Sequence, residues 1–352
     1  MPRILITGSG GLIGSETARF FLERKYDVNG IDNNLRKYFF GEKGDTTGNV
    51  HFLEDHYPAF NNHNFDLRER QKVLDFLRDN SDYDLIVHTA AQPSHDWAAR
   101  EPFTDFDVNA LATLNLLEGF RLHSPKGVFI FTSTNKVYGD NPNKVNLLET
   151  DTRYDYSPNQ TILGVSSEGI SEEMNIDHCT HSLFGASKVA ADIFAQEYGK
   201  YFGLNVGVFR GGCLTGPQHS AVELHGFLTY IVDCALKGRP YTIYGYKGKQ
   251  VRDQIHSFDV ANAFFHFMQN PRHGEAFNIG GTKNNAASVL EVISILKEDF
   301  GLTLNYNYDS KNRVGDHMCY YTDIGKFGKQ FPNWHISKSL KQIVAEIVEA
   351  KK

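Results

Sequence analysis

Ile4-Leu5-Ile6-Thr7-Gly8-Ser9-Gly10-Gly11-Leu12-Ile13-Gly14 decides the fold of this chain. A short apolar run stops at Thr7, glycines fall at positions 8, 11 and 14, and helical periodicity begins at Leu12. The first N–H groups of a helix point outward unpaired and bind anions, and only glycine lets a polyphosphate approach the backbone that closely. A plain strand-to-helix turn explains the glycines equally well when they are taken alone. The second strand, expected over Asp27 to Asp32, separates the two readings. It ends in a carboxylate 18 residues past Gly14, suited to accept both hydroxyls of an adenosine ribose. The combination points to a dinucleotide. Asp32 repels a 2′-phosphate and so favours NAD over NADP, while Arg36, four residues on, offsets part of that repulsion.

Outward from this turn, short β-branched runs alternate with helical stretches over the first 210 residues, as in βαβ units around a parallel sheet. Strands are expected at Arg3 to Thr7, Asp27 to Asp32, Asp84 to His88, Gly127 to Thr132 and Asn205 to Arg210. Helices are expected at Leu12 to Glu23, Arg68 to Asp79, Phe103 to Leu122 and Phe184 to Phe202. The fold class is α/β: a Rossmann-type doubly wound parallel sheet over residues 1–210, with returns later in the chain, and a smaller α/β substrate lobe over 211–352. Arg36 to Asn64 and Asn141 to His181 break the alternation, and their length marks them as lids or misread elements. Past Arg210 the pattern loosens into turns at Gly211 to Pro217 and Gly245 to Gly248 and helices near Leu224 to Leu236 and Ser288 to Asp299.

At ~150 residues per domain, the 352 residues allow two lobes. Basic and acidic residues number 36 and 42, a net charge of 36 − 42 = −6, and 41% of the chain is hydrophobic. That composition excludes a disordered chain and a surface that coats nucleic acid. The cysteines Cys179, Cys213, Cys234 and Cys319 are dispersed with no CxxC pair, which suggests neither a disulfide framework nor a thiolate zinc site. His178, Cys179 and His181 lie close together but lack a fourth ligand of clear spacing, so no metal is expected. The apolar run at Ile4 to Ile6 is too short for a signal sequence, and no window approaches the ~18 apolar residues of a membrane span. A cytoplasmic protein with no nucleic-acid or membrane partner is the expectation.

Further motifs follow in order: His88-Thr89-Ala90-Ala91-Gln92, Asn109, Thr132-Ser133-Thr134-Asn135-Lys136-Val137-Tyr138-Gly139, Lys188, Gly248 to Asp253, Asn278 to Gly281, and Arg313-Val314-Gly315-Asp316. With Gly8, Gly11, Gly14 and Asp32, this series resembles the extended short-chain dehydrogenases/reductases, the family of NAD-dependent nucleotide-sugar epimerases and dehydratases. The resemblance implies NAD held by Gly8, Gly11, Leu12, Ile13, Gly14, Asp32, Asn33, Arg36, Asp66, Leu67, Ala90, Ala91, Gln92, Asn109, Thr132 and Lys188. Asp66 reads equally well as the cap of the following helix. The resemblance also implies Thr134 on the sugar oxygen, Arg252 and Arg313 on the substrate pyrophosphate, and His95, Tyr244 and Gln250 beside the substrate. A guanidinium fork matches phosphate oxygens, although Arg252 read alone is as well explained by a salt bridge to Asp253. A homodimer through the helices carrying Asn109 and Lys188 is a further implication.

Within the family, Ser133 to Asp140 and Gly248 to Asp253 are most similar to epimerases acting at C2 of a CDP-linked hexose. Family dehydratases carry Asp-Glu where this chain has Asn135-Lys136. Elimination of water needs one carboxylic acid and one carboxylate, which an amide and an ammonium do not replace. Epimerisation at C4 or C3, synthase chemistry, or a binding protein without chemistry are the rival readings. One departure bears on all of them. The family's Tyr-x-x-x-Lys is Phe184-Gly185-Ala186-Ser187-Lys188 here, and phenylalanine accepts no proton. A positioned base contributes ~10²- to 10⁴-fold, so another group must serve. His95, His178, Lys136, Glu172, Glu173 and His181 are the candidates, with His181 and Lys136 first because they adjoin Phe184 and Thr134 in sequence.

Overall fold

The computed structural model describes residues 1–223, 226–312 and 315–352. In chain order the elements begin with β1 (Arg3–Thr7), α1 (Leu12–Glu23), β2 (Asp27–Ile31), α2 (Leu35–Phe40), α3 (Thr47–His56), β3 (Phe60–His63), α4 (Arg70–Asp79) and β4 (Leu85–His88). They continue with α5 (His95–Arg100), α6 (Pro102–Phe106), α7 (Ala112–His123), β5 (Val128–Thr134), β6 (Leu147–Glu149), β7 (Tyr154–Tyr156), β8 (Val165–Ser166), β9 (Gly169–Ile170) and α8 (Ser182–Phe202). The remainder comprises β10 (Asn205–Gly211), β11 (Cys213–Thr215), α9 (Phe227–Leu236), β12 (Tyr241–Tyr244), β13 (Val251–His256), α10 (Ser257–Gln269) and β14 (His273–Ile279). β15 (Ala286–Ser288), α11 (Val289–Phe300), β16 (Tyr306–Asp309), β17 (Cys319–Tyr320), α12 (Gly325–Gln330) and α13 (Leu340–Lys351) close the chain.

Two compact units result. The first comprises Met1–Val137, Leu183–Arg210 and Val260–Phe277, and the second Tyr138–Ser182, Gly211–Asp259 and Asn278–Lys352. The first unit is built on a seven-stranded sheet of order β14-β10-β5-β4-β1-β2-β3. β1 runs parallel to both neighbours, with Ile4 opposite Val28 and Leu85. Buried strand residues such as Leu5, Ile86, Phe129 and Val206 pack with Leu77, Leu116, Phe120 and Ala195 from the helices. Runs this apolar need cover on both faces, which βαβ crossovers supply. The α/β class and its parallel central sheet are therefore as expected.

The stretch Arg36 to Asn64, which its length marks as a lid or misread elements, contains α2, α3 and β3, with a 3₁₀ turn at Gly41–Gly44. β3 escapes pattern reading because it is an outer strand, Phe60-Asn61-Asn62-His63, in which only Phe60 is fully buried. Its polar side chains bond inward: Asn62 Oδ1 accepts from Ser9 Oγ at 2.8 Å, and the His63 Nε2 pairs with Asn29 Oδ1 at 3.1 Å. The Arg68 helix starts two residues late, at Arg70. The Phe103 helix is interrupted by a π-helical turn, Asp107–Leu111, between α6 and α7.

In the second unit β13 pairs in parallel with β11 and β17 and antiparallel with β15. Its sequence, Val251-Arg252-Asp253-Gln254-Ile255-His256, carries charged and amide side chains, yet all six residues are buried. The expected turn at Gly211 to Pro217 contains β11, and Asn141 to His181 holds the short hairpins β6–β7 and β8–β9. α9 begins at Phe227; the expected start at Leu224 lies outside the described residues. Its apolar face packs with α11 and α13 through Ile231, Val232, Val292, Leu296, Val344 and Ile347. Ser288 and Ser339 close capping boxes with Glu291 and Gln342, which fix where α11 and α13 start.

One ion pair ties the first unit's central strands to its longest helix. Arg210 Nε and Nη2 on β10 donate to the Asp192 carboxylate on α8 at 3.0 and 2.9 Å, and Ser133 Oγ on β5 donates to it at 2.6 Å. Gln196 Nε2 adds a fourth bond at 2.7 Å. Removing one partner of a buried pair strands the other charge. Arg210→Ala is expected to lower the unfolding free energy by about 3–5 kcal/mol, measured by denaturant titration. A loss under about 1 kcal/mol, the scale of an exposed pair, contradicts that placement.

Candidate active site

The glycine turn is built by close backbone approach. Gly8 has φ +72°, and a Cβ there would stand 2.7 Å from Ala90 N. A Cβ on Gly14 would stand 2.0 Å from Gly8 O, so α1 can start against the turn only with glycine there. Gly11 caps α1 with no side-chain hydrogen bond, and the first turn, carrying Leu12 and the buried Ile13, has no acid to compete with an anionic ligand. Both glycines let the strand end, the turn and the helix start close up on one another, the arrangement in which a helix N-terminus can meet a pyrophosphate.

Asp32 follows β2, where its Oδ2 accepts from Gly10 N at 2.8 Å and its Oδ1 from Asn34 N at 2.7 Å. Burial raises its pKa against these two backbone bonds. Each oxygen keeps a second lone pair to accept from a ribose hydroxyl, so these acceptors fit the adenosine ribose of NAD. Asn33 donates to Asp66 Oδ2 at 3.3 Å. Asp66 also accepts Arg68 N at 2.9 Å and both arms of the Arg68 guanidinium, so it caps the chain just ahead of α4, beside the buried Leu67. Arg36 lies over the Phe40 ring at 4.7 Å, and burial lowers its pKa to about 10.

A buried network joins the loop after β4 to α8. Gln92 N donates to Asn109 Oδ1 at 3.0 Å, and Asn109 Nδ2 donates to Gln92 O at 3.1 Å. The same Nδ2 reaches Asp105 Oδ1 and Ser187 Oγ, each at 3.0 Å. Asn109 makes these contacts from the π-helical turn, a feature frequent at functional sites. Asp105 and Ser187 carry no motif of their own; the only clue to Ser187 is its place beside Lys188.

Lys188 is 3% exposed and donates to Thr132 O at 2.9 Å, with its ammonium 4.3 Å from the Phe131 ring centroid. Desolvation lowers its pKa to about 8, while the carboxylates of Asp192 and Asp105 pull the other way. Burial and the Lys188 charge lower His88 to about 3, and this neutral ring spans Thr7 Oγ1 at 2.6 Å and Thr113 Oγ1 at 2.9 Å. Thr132 Oγ1 is buried without a partner. Thr134 Oγ1 lies 3.4 Å from Asn135 Oδ1 and accepts Lys136 N at 3.3 Å. Phe184 is buried on the face of α8 that carries Lys188, and its ring meets His95 edge to face, centroids 5.1 Å apart. The first unit thus brings together Gly8 to Gly14, Asp32, Ala90 to Gln92, Asn109, Thr132, Thr134, Phe184 and Lys188.

In the second unit Arg252 pairs with Asp316 and donates to Val251 O at 2.7 Å. The alternative salt bridge to Asp253 is not formed, because neighbours on a strand point to opposite faces. Asp253 instead accepts Thr282 N at 3.2 Å and Thr322 N at 3.0 Å, and burial raises its pKa to about 6. Gln250 donates to Tyr244 O at 3.2 Å, and Tyr244 donates to Glu223 Oε1 at 3.3 Å. His181 Nε2 lies 3.4 Å from Cys179 Sγ. Glu172 Oε1 accepts Asn278 N at 2.5 Å, whereas Glu173 and His178 are exposed. Arg313 lies outside the described residues. Among the described residues no group of His, Cys, Asp and Glu is placed to hold a metal ion, and no helix is long and apolar enough to cross a membrane.

Lys188 sets a pH dependence whose sign follows from its buried charge. Its folded pKa of about 8 lies below the ordinary 10.5, so the unfolded chain binds more protons between those values and stability rises with pH there. Unfolding free energies of the protein and of Lys188→Met, compared from pH 7.5 to 10, are expected to shift steadily in favour of the unsubstituted protein. A flat difference contradicts the lowered value.

The chain is similar to known proteins over nearly its whole length. A family profile described as "NAD dependent epimerase/dehydratase family" matches residues 4–280. CDP-paratose 2-epimerase of Salmonella typhi is 32% identical over 360 residues, covering 99% of this chain and 98% of that relative. dTDP-glucose 4,6-dehydratase of Salmonella typhimurium is 27% identical over 363 residues, covering 99% and 92%. Among solved structures, UDP-glucuronic acid 4-epimerase from Bacillus cereus, in complex with UDP-glucuronic acid and NAD, shares the fold with TM-score 0.78 and 24% identity, covering 99% and 98%. The profile spans the glycine turn, Asp32, the Thr132 to Gly139 motif and Lys188, and the chain belongs to the NAD dependent epimerase/dehydratase family.

Proposed function

We propose that this protein epimerises a CDP-linked hexose at C2, as a CDP-paratose 2-epimerase does. The full-length similarity to the Salmonella typhi enzyme carries the reading. Asn135 and Lys136 support it against dehydration, since neither side chain replaces the acid and base that elimination of water needs. C4 or C3 epimerisation and synthase chemistry remain the rivals within the same family.

Bound NAD supplies a hydride acceptor that becomes the hydride donor, so a sugar carbinol is oxidised and later reduced with no net redox change. The chain's own groups bind and orient. In this reading the amides at the start of α1 hold the cofactor pyrophosphate, Asp32 its adenosine ribose, and Lys188 the ribose next to the nicotinamide. Lys188 keeps its charge in neutral solution, because its pKa of about 8 stays above the ambient pH. Thr134 holds the reacting sugar oxygen. Arg252 and Arg313 clamp the substrate pyrophosphate, so the first unit serves the cofactor and much of the second the activated sugar. Turning the flat keto sugar over between oxidation and reduction inverts the carbon.

The same reading makes the protein a homodimer through the helical stretches that carry Asn109 and Lys188. Phe103, Leu122, Phe194 and Tyr201 support it: large apolar or aromatic side chains exposed on α6, α7 and α8 of one unit. A cytoplasmic setting accords with four free cysteines.

Incubation with CDP-paratose is expected to yield CDP-tyvelose, separated by chromatography, with no net rise in NADH absorbance. dTDP-glucose is expected to remain undehydrated. No conversion of CDP-paratose, with turnover of a UDP- or dTDP-sugar, overturns the substrate; no turnover of any nucleotide sugar overturns the enzymatic reading in favour of a binding protein. Arg252→Ala is expected to raise KM for the sugar nucleotide tenfold or more while NAD affinity, read by fluorescence, stays within threefold. A change in NAD affinity instead contradicts the assignment of Arg252 to the substrate.

A further inference from the structure

Phe184 leaves the carbinol proton without the family's phenol. Sequence adjacency favours His181 and Lys136 as replacements, whereas contact favours a different residue. The Phe184 ring lies against the imidazole of His95, with centroids 5.1 Å apart and planes at 72°. Phe184 stands one helical turn before Lys188, and both are buried on the same face of α8. His95 therefore touches the side chain that occupies the tyrosine's place in the Tyr-x-x-x-Lys pattern.

The contact is held from two sides. Ser94 N donates to Gln92 Oε1 at 2.5 Å, Gln92 Nε2 donates to Asp105 Oδ1 at 2.7 Å, and Gln92 is bound to Asn109, which reaches Ser187 Oγ. This chain of bonds fixes the residues just before His95 to α8 at the position next to Lys188. On the other side Ser94 caps α5 by accepting Trp97 N, and Trp97 Nε1 donates to Phe39 O. A side chain held by locked neighbours suits a catalytic group.

We propose that His95 is the general base and acid of the reaction, taking the role that Phe184 cannot fill; this rests on the epimerase reading above. In the oxidation the sugar O–H bond breaks and its proton passes to an imidazole nitrogen of His95. The C–H electron pair leaves as hydride to NAD, and the C=O bond forms. In the reduction the hydride returns to the opposite face and His95 gives the proton back to the oxygen. One proton and one hydride leave and return, so no further oxidant is needed. An imidazole, with an unperturbed pKa near 6.5, carries a proton both ways near neutral pH.

The test uses the full chain, CDP-paratose and NAD. His95→Phe is expected to lower kcat 100-fold or more, with KM and NAD affinity within threefold. Adding Phe184→Tyr to His95→Phe is expected to restore turnover at least tenfold by supplying a phenol. Independently of turnover, the His95 Cε1–H resonance, identified by its loss in His95→Phe, is expected to shift when NAD or CDP-paratose is added. A kcat within threefold of the unsubstituted protein, a loss that Phe184→Tyr leaves in place, or a resonance that neither ligand moves overturns the proposal. If the unsubstituted protein does not turn over CDP-paratose yet the resonance moves with NAD, the substrate reading fails and the placement of His95 is supported.

Discussion

The Asp192 carboxylate is the interaction on which the first unit's working parts depend. It sits one turn past Lys188 on α8 and takes Ser133 Oγ from β5 and the Arg210 fork from β10. Ser133 lies between Thr132 and Thr134. One buried charge therefore sets the distance between the helix that carries Lys188 and the strand end that carries both threonines. Desolvating two ions is costly, and a buried pair stabilises little unless its lone pairs and protons are all used. Here four donors meet the carboxylate, so geometry is gained without a stranded charge.

Much of this was legible in the sequence because the governing constraints are local. Glycine at Gly8 and Gly14 is demanded by backbone contacts within a few residues, and Asp32 follows from the length of one βαβ unit. Lys188 and Phe184 share a helical face by spacing alone. What escaped pattern reading depends on distant partners. β3 is a strand through its parallel pairing with β2, with Asn62 and His63 bonded to Ser9 and Asn29, and β13 is buried although half of it is charged or amide-bearing. Asp105 and Ser187 have no signal of their own; only the folded chain shows that Asn109 joins them. The Arg252 partner, Asp316, is 64 residues away, whereas the sequence alone offered the adjacent Asp253 as one of two equal readings.

Electrostatics divides the site by function. His88 lies beside a buried ammonium and is held neutral, so it spans two hydroxyls as a structural strut. Lys188 keeps its charge in spite of burial, partly through Asp192 and Asp105. The net charge of −6 is no obstacle to anionic ligands in the proposed reading, which gives them to a few local groups: backbone amides at α1 and the guanidinium of Arg252.

The π-helical turn at Asp107–Leu111 also limits how this region can change length. A π turn holds one residue more than the α-helix around it, and each α-helical residue advances the helix by about 100°. Deleting a single residue there would restore regular winding and leave α6 and α7 in phase, but it would remove the widened turn from which Asn109 makes its contacts. The bonds that Asn109 makes to Gln92, Asp105 and Ser187 would then be lost together. Substitutions in this stretch act one side chain at a time, whereas a one-residue deletion would dismantle the whole network, which makes its length a stricter constraint than its composition.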